Sequence, residues 1–284
     1  MGNSSSIEIR PYHWEGIYAQ YRDGGGAHHD PALCADIRAS WMPDGERLIL
    51  RCCEIIGVPN SYIYDDHSPP AEPETRGKHY QHNAFLWDTS SVPRQITANC
   101  QVPGKAQFGV RLSATDDYVD IHLSIRNDLT ESMGPIDWAF CAIGLECPSL
   151  NDEKQERTFF FDGGTLRSLR EFGGTNSIRM HKVAGGDNFI PVVHRHLPVG
   201  PIRARESLII VQGESGDCSV ALGFEQSYAC YASIGNLCFH ADPSFGTLQA
   251  GEKKRMRGRL YLLQGTAQDA LRRYQQNFRE MRSS

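Results

Sequence analysis

The chain has 284 residues, with 29 lysines and arginines against 34 aspartates and glutamates and a formal net charge of −5. A slightly acidic balance argues against nucleic acid as the main partner. No apolar run reaches the length of a membrane span. Nine cysteines, an odd number with no C-x-x-C pair, read as small core residues in a reducing, cytoplasmic setting. The start M-G-N-S-S-S lacks a basic region followed by an apolar one, so no signal peptide is expected. A secreted location would need a leader outside this sequence, and residues 1–6 are expected to be disordered.

Residues 7–22 carry Tyr12, Trp14, Tyr18 and Tyr21 between polar residues, an opening strand or a packed coil. The loop D-G-G-G-A-H-H-D-P holds His28, His29 and Asp30. From Ala35 to Ile56 two strands flank the turn Pro43-Asp44-Gly45. Residues 57–79, with four prolines, read as a loop whose Tyr62, Tyr64, Asp65, Asp66 and His67 are candidates to face a ligand.

A half-buried strand is predicted from Tyr118 to Arg126, with Val119, Ile121, Leu123 and Ile125 on one face. Asn127 to Gly134 turns the chain into a strand from Pro135 to Leu145. Gly163-Gly164 joins strands at Arg157–Asp162 and Thr165–Leu169. Further strands are expected at Ser207–Val211, Cys218–Phe224 and Tyr228–Ala232. Next comes a short strand in N-L-C-F-H-A-D-P, stopping at Pro243. After a turn with Gly246 and Gly251, a strand runs from Arg257 to Leu263.

One helix is predicted, over 266–281. Thr266 caps it with Asp269 three residues on, and Leu271, Tyr274, Phe278 and Met281 recur at helical spacing. Many strands and one late helix imply an all-β protein, a large antiparallel β-sandwich with a C-terminal helix. No composition break, linker or internal repeat interrupts residues 1–284, so one domain is expected.

The candidate chemistry gathers near the C-terminal strands. In an extended chain Cys238, His240 and Asp242 share one face. An imidazole and a carboxylate two residues apart at a strand end suit proton transfer. His194 and His196 in V-V-H-R-H-L form a second pair on one strand face, and the same histidines could join His240 and Asp242 around a divalent ion. The expectation is nevertheless no cofactor, with the metal kept as the minor alternative. Arg203 and Arg205 are candidates for an anionic sugar group, and Asn236 and Glu225 for further polar contacts. Trp138 is a candidate stacking surface, with aromatic core as the bland alternative.

Two passages add a resemblance. The strand-turn-strand L-S-I-R-N-D-L-T-E-S-M-G-P-I-D-W-A-F-C resembles the galactose mutarotase-like, or aldose 1-epimerase-like, supersandwich. In that family a strand ending in Asn leads through a polar turn to a strand bearing a catalytic histidine. Asp242-Pro243, the A-G-E turn at Ala250 to Glu252 and R-G-R-L-Y-L-L resemble the family's carboxylate strand, turn and closing strand. Where the family shows histidine, this chain reads W-A-F-C-A-I, with Cys141 and Trp138. Where the family shows glutamate, the chain has Asp242 beside His240. The chain is also similar to bacterial proteins with an H-x-D-P-x-F-G segment.

The resemblance implies a sugar-sized cleft and a small-molecule or oligosaccharide ligand. The expected function is an epimerase, isomerase or lyase on a sugar or uronic acid, working through His240 and Asp242 with His194 and His196. The alternative is a non-catalytic carbohydrate-binding or interaction sandwich. The two differ in whether the histidines matter to a measured activity.

Overall fold

The computed structural model describes residues 6–12, 33–59, 61–65, 87–89, 92–172, 178–183, 199–233 and 238–282. In chain order the strands are β1 (Ile7–Tyr12), β2 (Cys34–Ala39), β3 (Leu48–Val58), β4 (Ser61–Asp65), β5 (Gln95–Val102) and β6 (Ala106–Ala114). Next come β7 (Tyr118–Asn127), β8 (Met133–Ile143), β9 (Thr158–Phe161), β10 (Leu166–Ser168), β11 (Ile178–Lys182) and β12 (Leu208–Gln212). The last four are β13 (Ser219–Phe224), β14 (Ser227–Ser233), β15 (Cys238–Leu248) and β16 (Lys253–Leu263). The helix α1 (Ala267–Arg282) follows.

Among the described residues the strands form two eight-stranded sheets. The first has the order β1-β2-β3-β8-β15-β14-β11, with β4 paired to the end of β3. The second runs β10-β9-β12-β13-β16-β7-β6-β5. Named neighbours pair antiparallel.

Alternation explains why the sheets stack. In β7, Val119, Ile121, Leu123 and Ile125 are buried while their neighbours are not. Burying each such side chain is worth about 1.5–3 kcal/mol. They meet inward residues of the first sheet, including Leu50, Trp138, Phe239 and Ala241, in one core. Aromatic contacts cross between the layers. Phe108 of β6 sits edge-on to Trp138 of β8 at 5.5 Å, and Phe140 of β8 meets Phe224 of β13 at 5.2 Å.

The outer face of the second sheet carries α1, through Leu208, Ile210, Ala221 and Tyr261 against Leu271, Tyr274 and Phe278. The expected cap is present: the Thr266 N–H donates to Asp269 Oδ2 at 2.8 Å and the Asp269 N–H to Thr266 Oγ1 at 3.3 Å. The reading of the cysteines as core residues also holds, since all nine are buried.

Four expectations change. β3 runs on to Val58 and returns as β4, so the first part of 57–79 is a strand hairpin. The aromatic and β-branched residues of S-Y-I-Y favour strand there despite the polar flanks. β15 does not stop at Pro243 but continues to Leu248. Its ladder with β8 is interrupted between the pairs His240↔Cys141 and Ser244↔Asp137, and there the Phe140 N–H donates to the Asp242 carboxylate. Gly246, placed in a turn by the sequence reading, lies within β15 at φ +62° beside a register shift. β16 correspondingly begins at Lys253, four residues earlier than expected.

Candidate functional site

The central four strands of the first sheet bring one row of polar side chains together. Register pairs Arg51 of β3 with Cys141 of β8, Cys141 with His240 of β15, and His240 with Tyr231 of β14. Directly paired residues of an antiparallel ladder share a face. The Tyr231 and His240 rings stack at 4.1 Å, only 14° from parallel.

Glu54 joins this face through a backbone irregularity. Residues three apart on a regular strand point to opposite faces, but the β3–β8 register shifts between Arg51 and Ile55. Bulges of this kind re-aim side chains. As a result Arg51 Nη1 donates to Glu54 Oε1 at 3.1 Å, and Glu54 Oε2 stands 3.8 Å from His240 Nε2. On the other side His240 Nδ1 lies 3.3 Å from Asp242 Oδ1. Asp137, the register partner of Ser244, lies within electrostatic reach of Asp242 and His240.

These groups are buried: His240 is 2 % exposed, Asp242 0 % and Arg51 3 %. Burial alone would pull the His240 pKa down, but Cys238 and Asp242 outweigh it and hold the imidazolium well above the ordinary histidine range. Burial pushes Asp137 well above the carboxylate range. The charge on Asp242 adds to that and His240 opposes it. Tyr228 is raised by burial first and then by Asp137 and Asp242. A hydrogen bond with Cys141, against burial and with help from His240, pulls Cys238 down to about 6.

The sequence-predicted residues fall into three groups. His240 and Asp242 come together as expected, yet in mid-strand and buried rather than at a strand end. His194, His196 and Asn236, like His28, His29 and Asp30, lie outside the described residues. The remaining candidates sit elsewhere. Trp138 faces the core, donating its indole N–H to Cys52 O at 2.9 Å and packing on Phe108 and Phe245, so it is core and not a stacking floor. Glu225 lies in the bend that joins β13 to β14, where its Oε2 accepts the Arg257 backbone N–H at 3.0 Å. Arg205 donates its backbone N–H to Phe161 O at the end of β9, and Arg203 is exposed two residues before it.

Sequence reasoning passed over Arg51, Glu54, Asp137, Tyr228 and Tyr231. A signal for three of them exists. Arg51 and Glu54 interrupt the apolar run L-I-L-R-C-C-E-I-I-G-V, and Asp137 interrupts P-I-D-W-A-F-C. Charged residues inside such runs are seldom buried without a partner. The two tyrosines carry no comparable mark.

No protein-family model matches the chain, and no curated protein matches it. Solved structures similar to the chain include a galactose mutarotase related enzyme from Lactobacillus acidophilus, 11 % identical over 83 % of this chain and 96 % of that one, TM-score 0.44. A galactose mutarotase-like protein from Clostridium acetobutylicum is 10 % identical over 82 % of this chain and 93 % of that one, TM-score 0.41. An aldose epimerase homologue from C. elegans is 10 % identical over 82 % of this chain and 96 % of that one, TM-score 0.41. These are proteins of the group that the two sequence passages resemble.

Proposed function

We propose that this chain is a carbohydrate-active enzyme, an epimerase, isomerase or lyase that acts on a sugar or uronic acid by acid–base chemistry. One observation carries the reading: the 3.3 Å contact of His240 with Asp242 inside a row of ionisable side chains on one sheet face. Moving a proton on or beside a sugar carbon needs one group to give it and another to take it. Asp137, kept protonated by burial and by the charge on Asp242, is the acid of the set. Asp242, whose Oδ1 lies 3.3 Å from His240 Nδ1, is the acceptor. His240 holds Asp242 in place and offsets its charge. The resemblance of the two sequence passages to aldose 1-epimerase-like proteins points the same way.

The near-complete burial of His240 and Asp242 favours a second reading, a non-catalytic sandwich in which the cluster is structural. A turnover assay separates the two. Hexoses, pentoses and hexuronates are incubated with the protein and followed by NMR for anomer exchange and epimerisation, and by ultraviolet absorbance for elimination. One class should react, and Asp242→Asn should slow it by about 10²-fold or more with folding intact. No reaction across the panel, or full activity in Asp242→Asn, would end the catalytic reading.

A further inference from the structure

The acid–base reading makes no use of the two thiols beside His240. Cys141 is the cross-strand register partner of His240, and Cys238 precedes His240 by two residues on the same strand face. Cross-strand and i, i+2 neighbours are the two closest contacts a sheet face offers. Here the donor atoms of Cys141, Cys238 and His240 all lie within 4.8 Å of one another, and all three residues are buried. We propose that Cys141, Cys238 and His240 form a binding site for a soft divalent cation of the zinc class.

The donor chemistry fits. Thiolate and imidazole are the ligands such ions prefer, with metal–sulfur distances near 2.3 Å and metal–nitrogen distances near 2.0–2.1 Å. Those lengths imply ligand atoms roughly 3.5 Å apart in a tetrahedral shell, so rotamer adjustment of about 1 Å closes the site. Two thiolates neutralise a divalent ion, while Glu54 already has Arg51 as its counter-charge. Asp242 occupies His240 Nδ1, the carboxylate–histidine arrangement that orients a ligating imidazole and leaves Nε2 for the metal. Glu54 Oε2 lies 3.8 Å from that Nε2, outside the three-donor cluster. Binding releases the thiol and imidazole protons to solvent.

The site stands apart from the acid–base reading because the thiols play no part in that chemistry. His240 is shared, so a bound ion withdraws it from its pairing with a proton.

The test uses the full chain, reduced and stripped of metal, titrated with Cd²⁺ and with Zn²⁺ against a chromogenic chelator. The expected result is one ion per chain, with a thiolate-to-cadmium charge-transfer band in the ultraviolet. Cys141→Ser and Cys238→Ser should each weaken binding by about 10-fold or more, and Asp242→Asn by about 10-fold. Cys100→Ser, a buried cysteine on another strand, should bind as the unaltered chain does. No bound ion, a band unaffected by either serine variant, or an equal loss in Cys100→Ser overturns the proposal. If a serine variant fails to fold, X-ray absorption on the zinc-loaded unaltered chain decides. Two sulfur scatterers support the site and a shell of light atoms alone overturns it. Metal binding without sugar turnover, or turnover without metal binding, tells the failure of one reading from the failure of the other.

Discussion

Asp242 Oδ1 accepts the backbone N–H of Phe140 at 3.1 Å, and the same oxygen lies 3.3 Å from His240 Nδ1. One carboxylate thus fills a break in the β8–β15 ladder and also positions the imidazole. The two duties separate by substitution. Asp242→Asn keeps an acceptor for Phe140 and should fold with little loss. Asp242→Ala leaves a buried N–H unpaired and should lose about 1–3 kcal/mol. Urea unfolding of the two variants checks this, and equal stability would show that the Phe140 contact contributes nothing.

The Arg51–Glu54 ion pair is buried, with side chains 3 % and 11 % exposed. Removing one partner takes a buried counter-charge from the other, so Arg51→Met or Glu54→Gln alone should cost about 3–5 kcal/mol. Replacing both with apolar residues should recover much of that loss. A double-mutant cycle by denaturant melting measures it, and additive losses would contradict the pairing.

On the outer face of the second sheet, Asp120 takes hydrogen bonds from Arg259 Nε at 2.9 Å and from His122 Nε2 at 3.0 Å. Burial alone would raise its pKa, but these two partners outweigh it and hold Asp120 below the ordinary carboxylate value. A folded pKa below the unfolded one contributes stability above the unfolded pKa. That contribution is lost as pH falls through the folded value. Stability should therefore drop on acidification below about pH 4, and Asp120→Asn should flatten that part of the profile. Melting temperatures from pH 7 down to 2 show whether it does.

Tyr274 anchors α1. Its hydroxyl donates to Phe224 O at 2.9 Å, and a Cβ built on Gly223 would sit 2.6 Å from its ring. Tyr274→Phe should cost about 0.5–1.5 kcal/mol and Tyr274→Ala about 3–5 kcal/mol. Gly223→Ala should also destabilise by forcing the ring away. If Gly223→Ala melts like the unaltered chain, the helix is not held where the ring contact puts it.

Local chemistry was enough for much of the fold. The alternation of β7, the Gly163-Gly164 hairpin and the capped helix α1 are each specified by residues close in sequence, so period and turn chemistry revealed them. The His240–Asp242 pair was legible for the same reason, being two residues apart on one strand. Its depth was not, because Pro243 reads as a strand end when the break it makes is filled by a contact between strands. Arg51, Glu54, Asp137 and Cys141 reach this site only through the pairing of β3, β8 and β15, across sequence separations of roughly 90 to 190 residues. Glu54 reaches it only through a register shift that breaks the period a sequence pattern relies on. Composition and spacing along one strand therefore identified the strand and its histidine. That Arg51, Glu54, Asp137 and Cys141 join Cys238 and Asp242 around that histidine was decided by sheet order and by the β3 register shift.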